Sequence, residues 1–107
     1  MSQIADPLTL EGLRQRREEI LRIAAARGAY NVRVFGSVAR DEATPESDVD
    51  FLIDLEPGRT LFDLGGLVLD LEETLGRKVD VVEVPSHFRS PTTKRISERI
   101  QREAVPL

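Results

Sequence analysis

Residues 36–55, GSVARDEATPESDVDFLIDL, decide how the rest of the chain is read. The stretch opens on Gly36-Ser37, directly after the β-rich run Tyr30 to Phe35, so a strand is expected to end abruptly in a glycine turn. Val38-Ala39-Arg40-Asp41-Glu42 suits one or two helical turns, closed by Thr44-Pro45. Val49 to Leu55 follows as a strand, and its continuous apolar triplet Phe51-Leu52-Ile53 is expected where both faces are covered. Asp48 and Asp50 stand at the start of this central strand. Side chains two positions apart on a strand point to one face, with Cα atoms about 6.5 to 7 Å apart. Two carboxylates so placed repel each other and resist burial unless exposed or neutralised by a cation.

Downstream, Lys78 to Val84 reads as a third strand, and Asp80 interrupts its valines. Alternation turns Asp80 towards the face of Val82 and Val84, where a third acid completes an oxygen cage for one or two divalent ions. Each element has a plainer reading. Gly36-Ser37 alone is a turn with a serine N-cap, Asp48-Val49-Asp50 alone is a solvated loop edge, and Asp80 alone is an exposed strand residue. The combination favours two-metal phosphoryl transfer, in which carboxylates hold the ions and a glycine turn entering a helix presents N–H groups to phosphate. Ser37 adds a hydroxyl.

Outward from this centre, Leu10, Leu13, Ile20 and Ala24 predict one amphipathic helix from Thr9 to about Arg27, stopped by Gly28. The mixed charges of Arg14-Gln15-Arg16-Arg17-Glu18-Glu19 read as its solvated face, with a partner contact as the alternative. Thr60 with Asp63 resembles a capping box, and Leu61, Leu64, Val68, Leu71 and Leu75 form the stripe of the helix that follows, ended by Gly76. Gly65-Gly66 inside it costs about 1 kcal/mol per glycine, which points to tight packing more than to ligand contact. Ser90-Pro91 suits the start of a last helix reaching about Glu103, with only Ile96, Ile100 and Ala104 as an apolar face. The expected class is α/β (α+β), a mixed sheet of three or more strands covered by about four helices, in one domain over residues 1–107.

Composition narrows the chemistry. The chain has no cysteine, so thiolate metal sites and disulfides are excluded and a hard cation such as magnesium is favoured. A net charge of −4 argues against direct nucleic-acid binding. No apolar run approaches the roughly 20 residues of a membrane span, and no signal-peptide pattern opens the chain, so a cytoplasmic location is expected. His87, beside Pro85-Ser86, reads as a surface loop residue.

Gly36-Ser37, ten intervening residues and Asp48-x-Asp50 resemble the motif of the polymerase-beta-like nucleotidyltransferases. The chain is most similar to the minimal nucleotidyltransferases (MNT) that act as antitoxins beside HEPN-domain toxins, and the resemblance spans nearly its whole length. It implies the minimal nucleotidyltransferase fold, with Asp48 and Asp50 as magnesium ligands and Asp80 as the third carboxylate, which also helps prepare the attacking hydroxyl. It implies that Gly36 and Ser37 hold the triphosphate, with Arg40 in a phosphate-binding or surface role. Asp41 departs from the pattern, since many relatives have glycine there. The implied activity is transfer of AMP from Mg-ATP to a tyrosine hydroxyl of a partner HEPN ribonuclease toxin, which silences it. The alternatives are an antitoxin that acts by occlusion alone, and nucleotidyl transfer to a small molecule.

Overall fold

The computed structural model describes residues 8–84 and 98–107. The chain opens with two short helices where one was expected, α1 (Leu10–Gln15) and α2 (Arg17–Ala26). Thr9 caps α1 by accepting from the Gly12 N–H at 3.0 Å. Arg16 separates the two helices, and its guanidinium donates to the Thr74 carbonyl at 2.9 Å. Thr74 lies in the last turn of α4 (Leu61–Leu75), where carbonyls lack intrahelical partners and no basic residue of the helix itself is near. The break therefore lets one residue serve a second helix.

The charged run is not simply a solvated face either. Arg14 donates to the Pro106 carbonyl at 2.6 Å and Arg17 to the Leu107 carbonyl at 3.1 Å. They tie the first helices to β4 (Val105–Pro106), a short strand that the sequence did not announce.

The remaining strands are β1 (Ala29–Phe35), β2 (Val49–Leu55) and β3 (Val79–Glu83), with the four-residue helix α3 (Gly36–Ala39) after β1. The sheet order is β3-β2-β1-β4, with β2 parallel to β3 and β1 antiparallel to both β2 and β4. The helix α4 is the crossover that a parallel β2–β3 pair requires. A register shift in β1 between Tyr30 and Arg33 coincides with positive φ at Asn31, whose side-chain amide donates to Asp54 at 2.8 Å.

One face of the sheet carries the core. Val32 and Val34 of β1, Val49, Phe51 and Ile53 of β2 and Val79 of β3 pack with Leu13, Ile20, Ala24, Leu67, Leu71 and Leu75 from the helices. The expected α4 stripe needs correcting at its start. Leu67 is buried, whereas Leu61 is 81% exposed, so the inward face begins a turn later than the pattern suggested. The capping box is present: the Thr60 N–H donates to the Asp63 carboxylate at 3.1 Å, and this bond is the main cause holding the Asp63 carboxyl below its ordinary range.

The double glycine divides. A Cβ on Gly66 would collide with the Arg27 guanidinium, which is paired with Asp70 at 3.1 Å, so tight packing holds there. A Cβ on Gly65 would meet nothing within 4 Å. On the other face, Leu52 is buried outside the main cluster, as expected for a strand covered on both sides.

Residues 98–103 are helical, but the predicted start at Ser90-Pro91, the apolar residue Ile96, and His87 all lie outside the described residues. Among the described residues no helix is long and apolar enough to cross a membrane.

Candidate active site

Asp50 and Asp80 are brought side by side by the parallel pairing of β2 with β3, in which they are direct register partners. Like charges opposite each other in a sheet are destabilising, so the arrangement needs relief from a proton or a cation. The Asp50 carboxyl is pushed up to about 6, first by its partial burial, then by the charges of Asp80 and Asp48 and a hydrogen bond with Asp80. Arg40 opposes this shift. Asp80 itself is exposed, so the pair opens to solvent at its outer edge.

Asp48 immediately precedes β2 on the same side as Asp50, near enough for its charge to act on that carboxyl. Its approach is fixed by a compact turn. The Thr44 N–H donates to the Ser47 hydroxyl at 2.8 Å, the Ser47 N–H donates back to the Thr44 carbonyl at 2.9 Å, and Arg77 donates to the Pro45 carbonyl at 2.9 Å. Among the described residues, however, no three acids are drawn into a group that could hold a metal ion, so the expected three-carboxylate cage is present as a close pair with Asp48 beside it.

Gly36 faces this pair. Its φ is +77°, and a Cβ built on it would collide with the Asp50 Oδ2 atom. Both facts demand glycine. Ser37 is not the N-cap of the short helix, as the plainer reading had it. It sits inside α3, whose cap is Phe35, and no side-chain oxygen caps the first N–H groups.

Arg40 ends α3 and pairs with Glu42 at 3.0 Å and Glu103 at 3.6 Å, contacts that raise its pKa, the Glu42 hydrogen bond most. Glu103, on the helical stretch 98–103, thus reaches the edge of the site. Sequence reasoning had no signal for it, because only the tertiary fold brings it to Arg40.

Asp41 has φ +61°, a left-handed conformation that aspartate tolerates and glycine adopts without a steric penalty. Asp41→Gly should raise stability by about 0.5–1 kcal/mol, or a few degrees in thermal melting, with part of the gain offset by the freer unfolded chain. Unchanged or lowered melting would contradict the backbone argument.

Residues 13–105 match the nucleotidyltransferase domain family. The chain belongs to that family. It is 38% identical to a Methanocaldococcus jannaschii protein named for protein adenylyltransferase activity, over 83% of this chain and 90% of that one. It is 37% identical to the protein adenylyltransferase MntA of Thermococcus cleftensis, over 73% of this chain and 74% of that one. A solved structure named as a minimal nucleotidyltransferase superposes with a TM-score of 0.77 at 49% identity, covering 92% of this chain and 96% of that chain. A toxin–antitoxin structure with AMP-PNP shares the fold, with a TM-score of 0.67 at 16% identity over 86% of this chain and 69% of that one.

For this nucleotidyltransferase, the raised Asp50 pKa has a consequence for stability. A carboxyl whose folded pKa lies above its unfolded value favours folding while protonated and loses that contribution as pH rises, here between about 4 and 6. With a chelator present, Asp50→Asn should therefore melt higher than the parent at pH 7.5, and the gap should close at pH 4. Discounted for the exposure of the pair, the expected difference is about 1–2 kcal/mol. Equal melting at both pH values would show that the carboxylates do not strain one another.

Proposed function

We propose that this nucleotidyltransferase is an antitoxin that moves AMP from Mg-ATP to a tyrosine hydroxyl of a partner HEPN ribonuclease toxin. The observation that carries the reading is the register pairing of Asp50 with Asp80, packed against a glycine that admits no side chain. The relatives named for protein adenylyltransferase activity support a protein acceptor, and the toxin–antitoxin structure with AMP-PNP supports a toxin partner and an adenine nucleotide.

Magnesium fits the site by its chemistry. The donors are hard carboxylate oxygens, and they crowd more negative charge into one place than burial tolerates, as the raised Asp50 pKa records. Asp50 and Asp80, already side by side, would hold it, and Asp48 would complete the set by closing on the ion from its place beside them. When bound, the ion supplies charge neutralisation at the phosphates and lowers the cost of forming the attacking oxyanion. Asp80, the more exposed of the pair, accepts the proton of the incoming tyrosine. The tyrosine oxygen forms a bond to the α-phosphorus, the bond from that phosphorus to the bridging oxygen breaks, and pyrophosphate leaves with the electron pair. Gly36 lets the backbone come close to the triphosphate, Ser37 offers an N–H and a hydroxyl, and Arg40 faces the same anion from the end of α3.

Incubation with the partner toxin, magnesium and ATP should add the mass of one or more AMP units to a toxin tyrosine. Unmodified toxin, under conditions where the two proteins form a complex, overturns the proposal.

A further inference from the structure

Arg40 stands at the edge of the acidic site, and its guanidinium is already occupied. Its Nε donates to Glu42 Oε1 at 3.0 Å, and its Nη1 lies 3.6 Å from Glu103 Oε1. The charge of Asp50 also acts on it, which sets the guanidinium close to the acids.

The two glutamates do not hold Arg40 equally. The Glu42 contact is a hydrogen bond to a residue two positions on, and it is the largest cause raising the Arg40 pKa. The Glu103 contact is longer than a hydrogen bond and comes from the helical stretch 98–103. The other oxygen of Glu103, Oε2, lies at the same 3.6 Å from Arg99, one helical turn earlier. Glu103 thus stands midway between two arginines, and leaving one for the other costs it little. With Arg40 49% exposed, Glu103 38% and Arg99 78%, burial locks neither pair.

A triphosphate held at Gly36-Ser37 changes this balance. It brings several negative charges to a guanidinium whose own charge is offset by two carboxylates, and phosphate oxygens suit the arginine fork well. While Arg40 holds both glutamates it has no surplus charge to offer. Glu103 is the contact that gives way, being longer and having Arg99 to receive it, whereas Glu42 keeps the Nε and the guanidinium plane in place.

We propose that Glu103 is a positioning residue that competes with the triphosphate for Arg40 and so sets the affinity for nucleotide. The inference rests on the reading that Arg40 meets the triphosphate. Glu103 touches no reacting atom and acts through Arg40.

The probe is the magnesium complex of α,β-methylene ATP, whose carbon bridge blocks AMP transfer, titrated calorimetrically into the full chain without toxin. Glu103→Gln should bind it about twofold to fivefold more tightly than the parent, the range an exposed ion pair supports. Glu103→Asp keeps the charge but shortens the reach by a methylene, and should tighten binding likewise. In the transfer assay both variants should show the change in KM for ATP rather than in kcat. Arg40→Ala should weaken binding, and adding Glu103→Gln to it should change nothing further. Tightening that persists without Arg40, or that Glu103→Asp lacks, makes Glu103 a bare charge acting through space and overturns the proposal. So does parental affinity in Glu103→Gln, and so does weaker binding with lowered melting, which assigns Glu103 to the fold. A parent that fails to bind the probe sinks the nucleotide reading together with this one, whereas a parent that binds it with no effect of Glu103 sinks this one alone.

Discussion

Asp48→Asn combined with Asp50→Asn is expected to lower nucleotidyl transfer by about a thousandfold or more while leaving the chain folded and still able to bind the proposed toxin partner. A bound divalent ion contributes several kcal/mol to stabilising charge in phosphoryl transfer, and each 1.4 kcal/mol is about tenfold in rate. Removing two ionised ligands at once forfeits most of that stabilisation. Neither change creates a cavity, since asparagine keeps the shape of aspartate, and Asp50 is a residue whose ionised form the fold holds at a cost. The measurement is transfer of α-labelled AMP to the toxin, alongside a binding assay. The double variant also separates catalysis from occlusion. An antitoxin that works by covering its partner protects cells with both acids gone, and full protection by the double variant would falsify the catalytic account.

Gly36→Ala is the second large effect, and it should damage stability and activity together. Alanine at φ +77° carries the left-handed backbone penalty of about 1 kcal/mol, and its Cβ must also displace the Asp50 carboxylate. The expected loss is about 2–3 kcal/mol of stability, with activity down about a hundredfold in the fraction that remains folded, because a catalytic group moved by about an ångström loses that much. Gly58→Ala is the control. Gly58 has φ +89° and nothing within 4 Å of its would-be Cβ, so it shares the backbone penalty without the collision. Gly58→Ala should cost about 1 kcal/mol and leave the rate of the folded enzyme unchanged. If the two variants behave alike, the approach of Asp50 to Gly36 has no catalytic importance.

Much of this site was legible because its signals are local. The apolar triplet Phe51-Leu52-Ile53 marks a buried strand by itself, Thr60 with Asp63 marks a helix start, and the expected bounds Val49–Leu55 are those of β2. The order of Gly36-Ser37, Asp48 and Asp50 points to nucleotidyl transfer, the activity of the family to which the chain belongs. What stayed hidden depends on long-range pairing. Nothing near Asp80 says that it will stand opposite Asp50 rather than one residue along, a difference that would turn it to the other face. The two residues of β4 are too few to carry a pattern. The break at Arg16 follows from a carbonyl far away in sequence, and Leu61 matched the helical period yet faces outward because the inward face is set by where α4 meets the sheet.

The parallel pairing of β2 with β3 also has a kinetic side. Gly36 and Asp50 meet within the β1–β2 pair, across one short connection, whereas Asp80 arrives only when the entire α4 crossover has closed, and ordering so long a connection is slow. Any partly folded form that holds the β1–β2 pair without β3 has the glycine turn built and lacks the second acid. Competence for catalysis therefore waits on the docking of β3, whereas β4, which pairs with β1 across most of the chain, brings none of the three acids, so recovered activity reports the β2–β3 pairing rather than completion of the sheet.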